Sequence, residues 1–344
     1  MERMQVSSKN PFFQHARMEA YVCYRDQKPV GRIAAIKDDL HNSYCQDQVG
    51  FFGFFEAVDD QAVVERLISA AQHWLHRQGC AVMRGPVNPS MKSEFGVLIE
   101  GHHIPPTIMM AHSPARYDRH LLEADFQVAK TFYAFHYDVK KMHGLPNPKW
   151  DELYDAAAKI QQRYPQLTFR HVEAGNYAET LRGINELGNQ VRSEGWGFVP
   201  LTSAELEFMI KNLKPVIRFD MIHVAYWHDQ LVGYIVNIPD VNWALQRTWG
   251  RWDWLRLLQL PFLIPHSRRT RVIALGVDPK LRTKGVAMLL IKQLVDRHVE
   301  FDDWEFSWVL EDNLKSIRAI GRVFQLDRYK TYRLYERAIP EPVD

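Results

Sequence analysis

The chain is short of three things, and each shortage sets aside a class of protein. Only Cys23, Cys45 and Cys80 occur in 344 residues, an odd number with no cysteine pair at a metal-ligand spacing. A disulfide scaffold and a cysteine-built zinc module are set aside, free thiols in a reducing cytosol are expected, and no metal is expected. Long hydrophobic runs are missing as well, since no stretch approaches the roughly 18 apolar residues of a membrane span. The first residues, MERMQVSSKNPFFQHARME, lack the apolar core of a signal peptide, so a cytoplasmic location is expected. Charge of one sign is also scarce: 43 Lys and Arg against 41 Asp and Glu leave +2. The whole chain is no polycation, and nucleic acid is not an expected partner. No Ser-His-Asp order, zinc spacing or dinucleotide G-x-G-x-x-G is present. What is present is 46% hydrophobic and 12% aromatic residues, enough for sizeable cores, over a length that suggests about two domains.

The most informative stretch is 271–287, RVIALGVDPKLRTKGVA. Residues 272–277 form an apolar, β-branched run that reads as a buried strand. Asp278-Pro279 ends it, because proline lacks an N–H for the ladder and restricts its predecessor. Arg282, Thr283, Lys284, Gly285, Val286 and Ala287 then lead into an amphipathic helix at 288–297. A strand, a turn of small residues and a helix start aim backbone N–H groups and the positive helix end at one point, which suits a phosphate. Arg282 and Lys284 add positive charge.

The pattern Arg282-x-x-Gly285-x-Ala287 resembles motif A of the GNAT acyltransferase superfamily, Q/R-x-x-G-x-G/A. The resemblance implies that this loop holds the pyrophosphate of coenzyme A. It also implies that backbone N–H groups within Leu275, Gly276 and Val277 serve the thioester, and that Asn313 and Ser316, after the strand expected at 305–310, lie near the pantetheine arm. The expected fold is α/β with a mixed sheet, in two tandem GNAT-like domains.

The first half repeats the strand–helix–strand order. Strands are expected at 18–25, 30–37, 50–56 and 81–84, with a helix at 61–78 and a polar loop at 38–48 carrying His41 and Asn42. Where the phosphate loop should stand, the sequence reads Glu56-Ala57-Val58-Asp59-Asp60. Carboxylates there would repel a pyrophosphate, so this half is read as a GNAT-like domain, 1–140, without a coenzyme site. A strand is expected at 107–110 and another at 126–138, and KKMHGLPNPK at 140–149 reads as the connector. In the second domain, 150–344, helices are expected at 151–162, 178–191 and 203–213, the last with Ser203 as N-cap. A first strand is expected at 168–173, a hairpin at 221–227 and 231–238, and a closing strand at 327–338.

The insert at 241–269 is rich in Trp and Arg: Trp243, Trp249, Trp252 and Trp254 precede a leucine-rich run, with Arg247, Arg251, Arg256, Arg268 and Arg269 interleaved. Such chemistry suits a segment at a bilayer interface or lining a lipid tunnel. The competing reading is a core helix and loop between the domains. On the first reading, 243–264 touches the inner face of the membrane peripherally.

Beyond motif A, the stretches NPFFQHARME, VGRIAAI, VGFFGFFE, RGPVNPS, FGVLIEG, WGFVPLT and YKTYRLYE resemble a bacterial family with two GNAT-like domains, related to bacterial ceramide synthases. The resemblance implies an acyl-CoA-dependent N-acyltransferase in which an amine attacks a thioester. The amine needs a base, and Glu194, Glu56 and His41 are the candidates. Asn88 and Glu94 could equally line an acceptor groove. The superfamily's thiolate-protonating Tyr falls on Ile320, which leaves Tyr329 and Tyr332 as substitutes by residue type. The acceptor stays open between a long-chain, sphingoid-type amine and a small soluble amine or peptide. A non-catalytic acyl-CoA-binding protein stays open too.

Overall fold

A computed structural model of the chain describes residues 9–138, 148–193, 195–214, 217–247, 258–314, 316–318 and 326–340. They form a mixed α/β fold that divides into two compact units. Met1–Tyr133, Gly195–Val199 and Lys330–Asp344 make the first unit, and Ala134–Glu194 with Pro200–Tyr329 the second.

The first unit begins with a hairpin of β1 (Ala16–Arg25) and β2 (Lys28–Asp38), turning at Asp26 and Gln27, both in the left-handed region. Then come α1 (Asp39–Cys45), β3 (Val49–Ala57), α2 (Gln61–Arg77) and β4 (Val82–Gly85). A small ladder of β5 (Val87–Asn88) and β6 (Glu94–Phe95) leads to β7 (Val97–Glu100), α3 (Arg116–Glu123) and β8 (Gln127–Asp138). The strand at Asp327–Ala338 pairs antiparallel with β4 and β7 through residues of this same unit. Strands β1, β2 and β3 are antiparallel neighbours, while β3 and β4 run parallel and are joined through α2. Seven α2 residues at helical spacing, Val63 to Leu75, are buried. They pack in one cluster with Ile33, Phe52, Met83 and Tyr335. Burying each Leu or Ile side chain there contributes about 1.5–3 kcal/mol.

Two sequence expectations fail in this unit. The polar loop expected at 38–48 contains the helix α1. Its start is set by Asp38, whose carboxylate accepts the N–H groups of Leu40 and His41, an N-cap of the kind that offsets otherwise orphan donors. The strand expected at 107–110 is a turn, with Met109 at φ 60°. The connector expected at 140–149 lies outside the described residues over 140–147 and is helical from Pro148.

The second unit contains α4 (Pro148–Arg163), β9 (Leu167–His171), α5 (Tyr177–Arg192) and α6 (Ser203–Leu213). Thr202, not Ser203, caps α6. Its hydroxyl takes the Glu205 N–H and the Glu205 carboxylate takes the Thr202 N–H, a reciprocal capping box. The chain continues through β10 (Ile222–Trp227), β11 (Gln230–Pro239), α7 (Val241–Arg247), α8 (Leu260–Leu263), β12 (Arg269–Val277), α9 (Val286–Arg297) and β13 (Asp303–Leu310) to the start of β14 (Asp327–Ala338), which belongs to the first unit from Lys330 on. Strand order is β9-β10-β11-β12-β13, antiparallel until the parallel pair β12/β13, which α9 connects. Gly233 faces Val286 and Leu290 of α9, whereas the next residue, Tyr234, puts its hydroxyl beside Gly188 of α5. Successive strand residues point to opposite faces, so α5 and α9 cover opposite sides of the sheet. Within the insert, α7 and α8 are helical, and Trp249, Trp252, Trp254, Arg251 and Arg256 lie outside the described residues.

Candidate active site

The site is built where β12 leaves its parallel neighbour. Pairing of β12 with β13 runs from Arg269↔Asp303 to Val272↔Phe306. Past that rung β12 continues to Val277 and β13 to Leu310 with no further register between them among the described residues. The register to β11 shifts at the same place, with Val272 opposite Asn237 but Ala274 opposite Val236, so Ile273 is the extra residue of a bulge. Bulges bend and twist a strand, and this one sits where the pairing of β12 with β13 ends. Leu275, in the opened half, is 38% exposed.

After β12, Asp278 caps a 3₁₀ turn, Pro279–Lys284, by accepting the Lys280 N–H. Gly285 follows at φ 74°, ψ 14°, and α9 starts at Val286. Val286 and Ala287, expected in the loop, are therefore its first helical residues. Among the described residues no side chain caps this helix. Its first N–H groups and positive dipole end are left for an anion. Gly285 is favoured by its left-handed φ, and it also meets a neighbour the sequence did not suggest: a Cβ there would stand 2.5 Å from Ile160 Cδ1 of α4. Its missing side chain makes room for α4, and its left-handed φ makes the turn. Arg282 donates to the carbonyls of Val277 and Val191. The Lys284 ammonium lies over the rings of Tyr164, at 4.6 Å, and Trp227, at 5.2 Å. Thr283 is exposed.

The first unit contains the same strand–helix–strand arrangement with both features closed. Parallel pairing of β3 and β4 runs from Val49↔Val82 to Phe51↔Arg84 and then stops. Beyond it, the Phe54 N–H donates to Asn88 Oδ1 at 2.6 Å, and a Cβ on Gly53 would stand 1.6 Å from the Val87 carbonyl oxygen. The chain's own β5 fills the opening. At the helix start, the Asp60 carboxylate caps α2 by taking the Ala62 N–H, and it also pairs with Arg25. Asp59 pairs with Arg119, and Glu56 with Arg32.

Residues 197–324 match the sequence profile of the acetyltransferase (GNAT) family. Over 343 residues the chain is 31% identical to protein YghO of Escherichia coli K12, covering 97% of this chain and 85% of that one. It is 30% identical to the bacterial ceramide synthase of Caulobacter vibrioides, covering 96% and 86%. A tandem GNAT protein from the clavulanic acid biosynthesis pathway shares its fold, with a TM-score of 0.54 at 10% identity over 96% of this chain and 85% of that one. The chain belongs to the GNAT acyltransferase family. It is a two-domain GNAT protein and an N-acyltransferase, of a family that uses acetyl- or acyl-coenzyme A as co-substrate.

In this GNAT protein a polar ladder follows the last paired rungs of β12 and β13. Arg271 Nε donates to Ser307 Oγ at 2.9 Å and stands 3.7 Å from Glu305 Oε1. Ser307 Oγ donates to Glu305 Oε1 at 2.6 Å, and the Tyr329 hydroxyl donates to the other Glu305 oxygen. Arg269 reaches the Tyr329 oxygen at 3.3 Å and Asp303 at 3.3 Å. His136 Nε2 lies 2.7 Å from Asp303 Oδ1. Glu305 is fully buried, and a carboxylate so placed persists only with partners of this kind. Sequence reasoning missed Glu305 because its partners come from the strand register: Arg271 and Glu305 are 34 positions apart yet directly opposite.

The expected catalytic residues are dispersed. Glu194 lies outside the described residues. Glu56 is an exposed residue paired at 2.9 Å with Arg32. His41 is 3% exposed on α1, its ring edge-on to Phe51. Burial holds its pKa below the ordinary value, with Asp47 and Asp38 opposing. Tyr332 is fully buried in the first unit, whereas Tyr329 belongs to the second. Asn88 and Glu94 bond one another at 3.2 Å beside Phe54. Asn313 uses its side-chain oxygen on the Ser316 N–H, closing a turn after β13. Ile320 is outside the described residues.

Proposed function

We propose that this N-acyltransferase transfers the acyl group of an acyl-coenzyme A to a long-chain, sphingoid-type amine. One observation carries the coenzyme reading: two equivalent strand–helix junctions occur, and among the described residues the first is capped and filled while the second has neither a side-chain cap nor a segment in its strand opening. Under this reading the pyrophosphate lies on the N–H groups of Gly285, Val286 and Ala287. The thioester lies along Leu275, Gly276 and Val277, and Thr283, Asn313 and Ser316 border the coenzyme. Arg282 and Lys284 supply positive potential from their anchored positions.

Amine attack requires a neutral nucleophile, so a proton must leave it directly or through water. Glu305 is the carboxylate beside the splay, and Tyr329, bonded to it, is the hydroxyl through which a proton reaches or leaves that carboxylate. The opened half of β12 supplies backbone N–H groups for the oxyanion.

The acceptor class rests on the relative named bacterial ceramide synthase, supported by the insert. Leu258 is 60% and Phe262 75% exposed there, and the Arg247 guanidinium stacks on Trp243 at 3.4 Å. Exposed apolar side chains beside Trp and Arg suit a lipid surface. No described helix is long and apolar enough to cross a membrane; under this reading the insert attaches peripherally to the inner face, from the cytoplasm. Thiol release should be measured with purified protein, long-chain acyl-CoA and either sphinganine or soluble amines. Release dependent on sphinganine is expected. Equal or faster turnover of soluble amines and peptides would favour a small acceptor, and acyl-CoA binding without release would favour a non-catalytic role.

A further inference from the structure

We propose that His41, Cys45 and Asp47 form a zinc site in the first unit. His41 and Cys45 are four residues apart on α1 and so share one face of the helix. The helix ends on Gln46 in the left-handed conformation, φ 55°, ψ 43°, and the Asp47 N–H returns to the Asn42 carbonyl at 3.3 Å. That reversal brings Asp47 back beside the two helical residues. One donor atom from each of the three lies within 4.8 Å of the others. Bond lengths to tetrahedral zinc imply donor separations of roughly 3.5 Å. Side-chain rotation of the half-buried Cys45 and Asp47 supplies the remaining contraction.

A second observation points the same way. His41 is 3% exposed, yet its Nε2 makes no hydrogen bond among the described residues, although Asp47 Oδ2 is 3.4 Å away. Asp47 Oδ1 is likewise buried with no hydrogen-bond partner among the described residues. Buried polar atoms are rarely left so, at a cost of about 1–3 kcal/mol each, and a cation coordinated by both residues removes the need for other partners. The ring is held in place rather than free to turn outward: Phe51 packs edge-on at 4.9 Å, and Asp38 fixes the helix start. Cys45 Sγ lies 3.9 Å from His41 Nδ1 and 3.9 Å from the Phe198 carbonyl, on the Gly195–Val199 segment of the same unit. The nearby Arg84 has its charge matched by Glu336 at 2.8 Å.

One thiolate, one imidazole and one carboxylate are a donor set for zinc rather than magnesium or calcium, which take oxygen ligands. Three protein ligands leave a fourth position. The sequence pattern H-x₃-C-x-D contains a single cysteine, so a search for paired cysteines passes over it.

The test uses the full chain, loaded with zinc and then dialysed, with bound metal measured by mass spectrometry. In parallel, cobalt(II) is titrated and the thiolate-to-cobalt charge-transfer band recorded. About one zinc per chain and a clear band are expected for the native protein. Cys45→Ser should lose the band and bring zinc to background, Asp47→Asn should lower zinc retention, and Cys23→Ser should change neither. The proposal is overturned if the native chain retains no stoichiometric zinc and shows no band, or if Cys45→Ser and Asp47→Asn retain as much zinc as the native chain. Should Cys45→Ser fail to fold, the native cobalt spectrum and Asp47→Asn still decide.

Discussion

His223 should make the second unit sensitive to acid, by an amount that can be worked out. The residue is 3% exposed on β10, its ring 3.5 Å, nitrogen to nitrogen, from that of His298. Burial is the main cause that lowers its pKa, with His298, Arg297 and His171 adding repulsion and Asp220 opposing; it is pushed down to about 3. An unfolded histidine titrates near 6.5. The native state therefore keeps the ring neutral, while the unfolded state takes up a proton as pH falls below about 6.5. Stability is intact above that pH and is lost as pH falls from there toward about 3. The loss is about 2 kcal/mol at pH 5 and about 3 kcal/mol at pH 4 for this one group, since each pKa unit is worth about 1.4 kcal/mol. A global melt of two units would blur the effect, so the probe should be local. Hydrogen exchange of peptides covering Ile222–Trp227, corrected for the intrinsic pH dependence, reports the opening of β10. The opening constant should rise about 30-fold between pH 7.5 and pH 5 in the native chain. His223→Gln, with no titrating ring, should remove most of that rise. Parallel pH profiles for the two proteins would refute the reasoning.

Two further predictions concern the coenzyme unit. Gly285→Ala should destabilise the second unit by about 1–3 kcal/mol, from left-handed strain and the collision with Ile160. Adding Ile160→Ala should not restore full stability, because only the collision is relieved; full recovery in a denaturant titration would show that the φ of Gly285 is unimportant. Glu305→Gln preserves shape but cannot accept a proton, and kcat should fall about 100-fold or more with KM for acyl-CoA little changed. An unchanged kcat in the thiol-release assay would exclude Glu305 as the proton acceptor.

The fold was legible wherever one element carried its own signal. The closing strand shows in the alternation of DRYKTYRLYERA, and α2 in the spacing of Val64, Leu67, Ile68, Ala71 and Leu75. The β12 run, its Asp-Pro stop and the glycine turn were legible for the same reason. Helix α1 was not, because DLHNSYC shows almost no apolar period and is held by the Asp38 cap. Pairings that depend on register were also hidden. Neither the Arg271–Glu305 alignment nor Asn88 closing on Phe54 can be read from spacing along the chain. Gly285 was noticed for its small size, but its neighbour Ile160 is 125 positions away.

The first unit borrows the chain's last strand: Tyr335 to Ala338 pair with Gly85 to Val82, and Tyr332 and Arg333 pair with Leu98 and Val97. A ribosome making this protein delivers β4 and β7 more than two hundred residues before the strand that covers their edges. Vectorial folding of the amino-terminal half therefore leaves an unpaired sheet margin until residues 327–338 have been made. Cutting the gene at the apparent linker would leave that half permanently in this waiting state.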